Sequence, residues 1–186
     1  MDLFKEKQPE ILNLSHSLRL RKFQYSVPQA LSWYQSAETL RLVCRQNCEP
    51  FDKVRLKRMY QYLEQHGELY YIESVINGSF KAIGDVALCP RDLPIVIGDP
   101  TYRGNGIGSH VIWALSCRAF THGMTVVNVE DIYDDNIGSR RAFQKCGFTE
   151  DKKTKFGHSY QLTIEQYNRK KFVNRSLNSI DSGSGA

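Results

Sequence analysis

The chain has 186 residues, of which 41% are hydrophobic and 24% charged, with a formal net charge of +5. That is the size and make-up of one ordinary globular domain with a buried core. It argues against a fibrous or low-complexity chain, and no stretch approaches the roughly 18 apolar residues of a membrane span. Along the chain, residues 17–26 (SLRLRKFQYS) alternate at Leu18 and Leu20, then shift phase to Phe23 and Tyr25, which predicts a strand with a bulge. Pro28 opens a helical stretch with apolar positions at Leu31, Tyr34, Leu40 and Val43, and Ser26 is its candidate cap. After a loop around Pro50, residues 54–66 predict a helix with Leu56, Met59, Tyr60 and Leu63 on one face, closed by Gly67.

Residues 68–74 and 80–89 predict two strands, joined by the hairpin signal Asn77-Gly78. A strand over 93–99 then leads through a glycine-rich turn into a helix over 106–122. There Ile107, Val111, Ile112, Leu115, Ala119 and Phe120 recur at helical spacing. A strand over 125–131, a helix capped by Asn136 and ended by Gly147, and a last strand over 158–164 complete the pattern. The order is β-α-α-β-β-β-α-β-α-β, an α/β or α+β chain. Residues 1–170 read as the single domain, and 171–186, ending SLNSIDSGSGA, as a tail disordered in part.

Cys44, Cys48, Cys89, Cys117 and Cys146 form no C-x-x-C pair. They read as reduced thiols of a cytoplasmic protein; Cys44 and Cys48 can share a helix face but are too few for zinc. The five histidines lack metal spacing, so no metal is expected. The N-terminal MDLFKEKQPE has mixed charge and no apolar run, so no signal peptide and no membrane partner are expected. Lys152, Lys153, Lys155 and Arg169-Lys170-Lys171 read as a solvated face, so no nucleic-acid partner is expected either.

The informative stretch is residues 95–108, IVIGDPTYRGNGIG. Gly104, Gly106 and Gly108 permit a tight turn and close approach of a ligand to the main chain. The helix that follows offers unpaired N–H groups at its positive end, and Arg103 can add a charge-assisted bond, so the turn can hold a phosphate. One alternative is a turn whose glycines serve geometry alone. Another is a dinucleotide-binding turn, with Glu130 near the place of its acid; but the spacing is G-x-G-x-G rather than G-x-G-x-x-G.

Arg103-Gly104-Asn105-Gly106-Ile107-Gly108, preceded by Pro100 and Tyr102, resembles the R/Q-x-x-G-x-G/A signature of the GNAT acetyltransferase superfamily. Residues 136–148, NIGSRRAFQKCGF, resemble that family's second block, with Asn136, Ser139, Lys145, Gly147 and Phe148 in register. The likeness extends to RimJ/RimL-type and aminoglycoside 6′-type members. It implies a central mixed sheet with helices on both faces, and acetyl-CoA as cosubstrate. It places the pantetheine arm on main-chain groups of Val96, Ile97 and Gly98. The pyrophosphate would lie on the N–H groups from Arg103 through Ile107 to Ser109. Asn136 matches the asparagine that bonds the cofactor arm, and as a helix cap it has a structural role too. Ser139 and Phe143 complete the implied cofactor set.

The resemblance further implies acetyl transfer to a primary amine by direct attack in a ternary complex. A main-chain N–H near Gly98 would steady the oxyanion. Glu130 is the candidate general base, with Asp131, Asp99 and Asp85 as alternatives. Phe143 stands where the family often has an acidic tyrosine, which leaves Tyr133, Ser139 or water to protonate the departing thiolate. No cysteine shows the neighbouring base that an acyl-enzyme would need. A CoA-binding module without catalysis is the rival reading. The acceptor is a small-molecule amine or a protein N-terminus, and the protein a monomer or homodimer.

Overall fold

The computed structural model describes residues 4–24, 28–44 and 48–181. The strands are β1 (Ile11–Asn13), β2 (Leu18–Lys22), β3 (Glu68–Ile76), β4 (Ser79–Leu88), β5 (Ile95–Ile97), β6 (Val126–Tyr133), β7 (Thr149–Lys153) and β8 (Gly157–Thr163). The helices are α1 (Pro28–Trp33), α2 (Ala37–Cys44), α3 (Lys53–His66), α4 (Ile107–Thr121), α5 (Ile137–Lys145) and α6 (Ile164–Asp181). The expected strand–helix order is present with three differences near its start: β1 precedes it, β2 pairs without the expected bulge, and the one helical stretch expected from Pro28 is two helices, α1 and α2. The strands form two sheets, one in the order β1-β2-β3-β4-β5 and one in the order β6-β8-β7.

β3 shows why the large sheet carries helices on both faces. Its run ELYYIE is buried at every residue, as a strand covered on both sides must be. Leu69 and Tyr71 join a core with Trp33, Leu40, Leu56 and Tyr60 of α1, α2 and α3. Tyr70 and Ile72 point the other way, into a core with Val111, Ile112 and Leu115 of α4 and Phe143 of α5. Asn77 and Gly78 take positive φ of 50° and 77° in the predicted β3–β4 hairpin.

Several expectations are corrected. β7 (TEDKK) is exposed throughout and has no apolar signature; it exists because it pairs with β8. α6 runs through much of the segment expected as a tail. Thr163 and Gln166 form a capping box, with Thr163 N donating to Gln166 Oε1 at 2.7 Å and Gln166 N to Thr163 Oγ1 at 3.3 Å. Tyr167 then anchors the first turn against Trp113 and Phe120. Cys44 and Cys48 are joined in a disulfide rather than being two reduced thiols, with their Cα atoms 5.8 Å apart. The expected cap Ser26 and strand residue Tyr25 lie outside the described residues, as does 182–186.

A buried charge cluster ties α4 to the sheet. Arg118 donates to Glu68 through Nε at 2.5 Å and Nη2 at 2.6 Å, and Tyr70 Oη donates to Glu68 Oε2 at 2.8 Å. Glu68 is 3% exposed. Removing its carboxylate strands a guanidinium in the interior, which typically costs about 3 kcal/mol or more. Glu68→Ala is therefore expected to lower stability by about 3 kcal/mol, read from urea unfolding followed by circular dichroism.

Candidate active site

β5 and β6 are joined in sequence through α4 but belong to different sheets. β5 pairs only on its β4 side: Gly98 N donates to Ile83 O at 2.9 Å and Ala87 N to Pro94 O at 3.0 Å, with Val96 opposite Asp85 between them. In an antiparallel ladder successive residues alternate in direction. Pro94, Val96 and Gly98 thus turn their main-chain groups to β4, whereas Ile95 and Ile97 present theirs to the opposite edge. The sequence reading named Val96, Ile97 and Gly98 for that edge; the register keeps Ile97 and substitutes Ile95. The N–H groups of Gly98 and Asp99 both donate to Ile83 O, so neither is available to an oxyanion. What demands glycine at 98 is contact: a Cβ there would stand 2.1 Å from the Trp33 ring.

On the β6 side a bulge intervenes. Val129 and Ile132 pair with Tyr160 and His158, so Glu130 and Asp131 oppose a single residue of β8. The Glu130 N–H is taken up by Asp92 Oδ1 at 3.0 Å, and the same oxygen accepts Leu93 N at 3.0 Å. Asp92 thus spans the split between the two sheets.

A cavity of about 450 Å³ opens along this split. Val96, Ile97, Arg103, Gly104, Gly106, Ile107, Gly108, Ser109, Asn136, Ser139 and Phe143 line it, together with Thr39, Leu42 and Val43 of α2. Eleven of the thirteen residues expected around the cofactor are thus brought together; Gly98 and Asn105 are not in the lining. Gly104 and Gly106 both have φ of 78°, the left-handed region that the turn requires. His110 N donates to Gly106 O as the first bond of α4, which leaves the N–H groups of Ile107, Gly108 and Ser109 without partners in the helix.

Arg103 does not reach into this anion site. Its Nε donates to Ile97 O at 2.8 Å and its Nη2 to Thr39 Oγ1 at 2.9 Å. Nη1 stands 2.9 Å from Glu38 Oε1, an ion pair whose angles fall short of a hydrogen bond. Its main-chain N–H is bonded to Pro100 O. The expected phosphate ligand is instead a strut between the glycine turn and α2. Asn136 acts as the cap, accepting Ser139 N at 3.1 Å, and also donates to Leu42 O at 3.4 Å. Arg41 pairs with Asp135 at 2.8 Å beside it.

A second cavity, of about 290 Å³, adjoins the first. The two share Leu42, Val43, Ile95, Val96, Asn136, Ser139 and Phe143. Tyr133 lines the second cavity, but Glu130 is exposed and lines neither. The bulge that frees the Glu130 N–H also turns its side chain outward, so the expected base stands outside both cavities.

Residues 31–148 match the model of the Acetyltransferase (GNAT) family. The chain belongs to the GNAT family. No curated protein matches its sequence. Among solved structures, a domain from Methanocaldococcus jannaschii is 18% identical, with a TM-score of 0.69 over 79% of this chain and 98% of that one. The aminoglycoside acetyltransferase AAC(6')-Ib in complex with coenzyme A is 15% identical, with a TM-score of 0.69 over 83% and 99%. The spermidine N-acetyltransferase from Vibrio cholerae, in complex with CoA and spermine, is 16% identical, with a TM-score of 0.64 over 83% and 99%. These likenesses establish the GNAT fold.

Sequence reading missed Asp92 and the wall formed by α2. Asp92 lies in a proline-flanked turn, CPRDLP, that carries no motif. Asp85, named only as an alternative base, lies 3% exposed at the second cavity and accepts the hydroxyls of Tyr34 at 2.9 Å and Tyr60 at 2.8 Å. Burial pushes its carboxyl up to about 6, against the lowering effect of those two bonds. An unfolded aspartate titrates near 3.9. Between the two values the native state holds the extra proton, so Asp85's contribution to stability falls as pH rises from about 4 to about 6. The stability of the wild type relative to Asp85→Asn is therefore expected to decline over that interval and level off above it, read from urea unfolding at stepped pH.

Proposed function

We propose that this GNAT chain transfers an acetyl group from acetyl-CoA to a primary amine by direct attack in a ternary complex. The observation that carries the reading is the shared wall of the two cavities. A donor in the first and an acceptor in the second would meet between Val96 and the Asn136–Ser139–Phe143 face of α5.

The residues of the first cavity suit a CoA molecule. Pantetheine bears amides, and the edge of β5 offers the Ile95 main chain and the Ile97 N–H to pair with them. The pyrophosphate falls to the N–H groups of the turn from Gly104 through Asn105 and Gly106, and of Ile107, Gly108 and Ser109 at the positive end of α4. Asn136 holds α2 and α5 together at the throat, and Phe143, 2% exposed, seals its floor against Phe148. That Tyr133 lines the second cavity supports it as the hydroxyl that returns a proton toward the departing sulfur. AAC(6')-Ib and the spermidine N-acetyltransferase, with their CoA complexes, support the same donor for this chain.

Four of the five cysteines support direct transfer without an acyl-enzyme by their chemistry, and the fifth, Cys117, lines neither cavity. Burial pushes the Cys89 thiol up to about 11 and the Cys146 thiol up to about 12, which leaves little thiolate near neutral pH. Cys44 and Cys48 are bonded to each other.

Gly108→Asp separates binding from folding. A Cβ at 108 meets nothing closer than the Ala142 Cβ at 3.8 Å, so the side chain has room. A carboxylate there favours the helix N-terminus but repels a pyrophosphate. The variant is expected to melt no lower than wild type and to bind CoA at least about tenfold more weakly by calorimetric titration, equivalent to about 1.4 kcal/mol. Wild-type protein that binds CoA yet releases no thiol with any amine would reduce the reading to a binding module.

A further inference from the structure

We propose that the second cavity accepts a small primary monoamine with an apolar body, and that Asp92 takes the proton from its ammonium group. The proposal rests on the acetyl-transfer reading and assigns the acceptor half of the same site.

The cavity wall is mostly hydrocarbon, with Met59, Leu63, Leu93 and Ile132 among its residues and the rings of Tyr34 and Phe51 beside them. Three carboxylates also line it, Asp85, Asp92 and Asp131, and among the described lining residues there is no lysine, arginine or histidine. The three differ in what remains for a ligand. Asp85 is enclosed, with a tyrosine hydroxyl on each oxygen. Asp131 accepts the Thr154 hydroxyl on Oδ1 at 2.7 Å and is exposed, so its other oxygen stands in solvent rather than beside the apolar wall. Asp92 is half-buried, and both of its main-chain bonds land on Oδ1; Oδ2 has no hydrogen-bond partner among the described residues. Asp92 is thus held rigidly by one oxygen while the other is left to the cavity.

Asp92 is the one half-buried carboxylate with an open oxygen among the described lining residues, and it recognises one cation beside a largely apolar wall. A polyamine would find for its further ammonium groups only the solvent-exposed Asp131, and a hydroxyl-rich sugar would meet few polar groups, Tyr133, Asn136 and Ser139 among them, for the hydration it loses. An alkyl or aryl body loses nothing on the same wall. The volume, about 290 Å³, lies at the small end of ligand pockets.

The chemistry closes on the same residue. The ammonium gives one proton to Asp92 Oδ2. The freed nitrogen pair attacks the thioester carbonyl carbon, the C–N bond forms and the C–S bond breaks. The sulfur leaves with the bonding pair, and the second nitrogen proton ends on it, through Tyr133 or solvent. Asp92 then returns its proton to solvent. Burial pushes the Asp92 carboxyl up to about 6, opposed by its two main-chain bonds and assisted by the charge of Glu130. Its titratable neighbours are Glu130 on β6 and Cys89 at the end of β4. A carboxylate in this range is still ionised at pH 7 and accepts a proton more readily than an ordinary aspartate.

The test measures thiol release from acetyl-CoA by the purified full chain with 2-phenylethylamine and 3-methylbutylamine. Spermidine, kanamycin and an alanyl tripeptide serve as competitors. The expected result is a kcat/KM at least tenfold higher for the two apolar monoamines. Asp92→Asn keeps the Oδ1 acceptor for Glu130; it is expected to lower kcat at least a hundredfold, to leave the acetyl-CoA KM within twofold, and to abolish the rise in kcat/KM centred near pH 6. Glu130→Gln is expected to leave kcat and the acetyl-CoA KM unchanged and to move the rise in kcat/KM to lower pH, since its charge no longer holds the Asp92 carboxyl up. Preference for spermidine, kanamycin or the peptide overturns the acceptor assignment, whether or not the Asp92 variant folds. An Asp92→Asn rate within threefold of wild type overturns the proton transfer. Failure of the wild type to bind acetyl-CoA in calorimetry overturns the acetyl-transfer reading itself. Binding without turnover of the apolar amines overturns only the acceptor assignment.

Discussion

Everything at the site depends on two strands that do not pair. β5 uses one edge on β4 and turns the main-chain groups of Ile95 and Ile97 to the other, where the neighbouring element, β6, is pushed off by the bulge at Glu130 and Asp131. A backbone donor or acceptor left unpaired away from water costs about 1–3 kcal/mol, so a strand edge inside a domain normally finds a partner. Here the edge faces a cavity instead. Asp92 ties the separated edges together, because its carboxylate takes the Glu130 N–H at the bulge of β6. The split sheet is therefore a defined structure with a polar pin across it.

The second requirement is a roof. α2 has a modest apolar face, yet it lies over the split because three ties hold it there. Arg103 reaches it from the glycine turn through Thr39 and Glu38, Asn136 reaches it from the head of α5 through Leu42 O, and Asp135 pairs with Arg41. Exposed ion pairs such as the last contribute little, so the buried Thr39 and main-chain contacts carry most of the fixation. Leu42 and Val43 then face both cavities, which makes α2, together with α5 through Ser139 and Phe143, a wall common to the two.

Much of this was legible in the residues, and the losses have identifiable causes. The helices up to α5 and the hairpin followed from periodicity and from Asn77-Gly78, and most of the lining of the first cavity followed from two motifs with their own local geometry, the glycine turn and the Asn136 cap. Legibility failed where a property belongs to a pair of distant segments. Val96 and Ile97 are adjacent and equally apolar, and only the register against β4 decides which of them turns its main chain outward. Glu130 sits at the right place along its strand, but a bulge that depends on the register with β8 rotates it to solvent. Arg103 looked like a phosphate ligand because its partners, Glu38 and Thr39, lie more than sixty residues away. Asp92 had no motif at all. The sharp end of α6 was readable in principle, since Thr163 and Gln166 have capping-box spacing, but the polar composition beyond it obscured the signal.

The two hydrophobic cores lie on opposite faces of one sheet. One gathers α1, α2 and α3, and the other gathers α4 with α5 and the start of α6. The glycine turn and α4 are built on the second core, whereas Tyr34, Phe51, Met59 and Leu63 of the second cavity's wall belong to or pack on the first. Those four side chains can therefore be exchanged with little disturbance to the anchoring of the glycine turn, since β3 and β4 insulate one packing problem from the other. The exceptions are α2, β5 and α5, whose residues line both cavities, and Leu93 and Ile132, which line the second cavity from the core that carries α4. The fold is thus a fixed handle with a jaw replaceable on one side only, and α2, β5 and α5 are the parts through which a change of jaw would be felt by the handle.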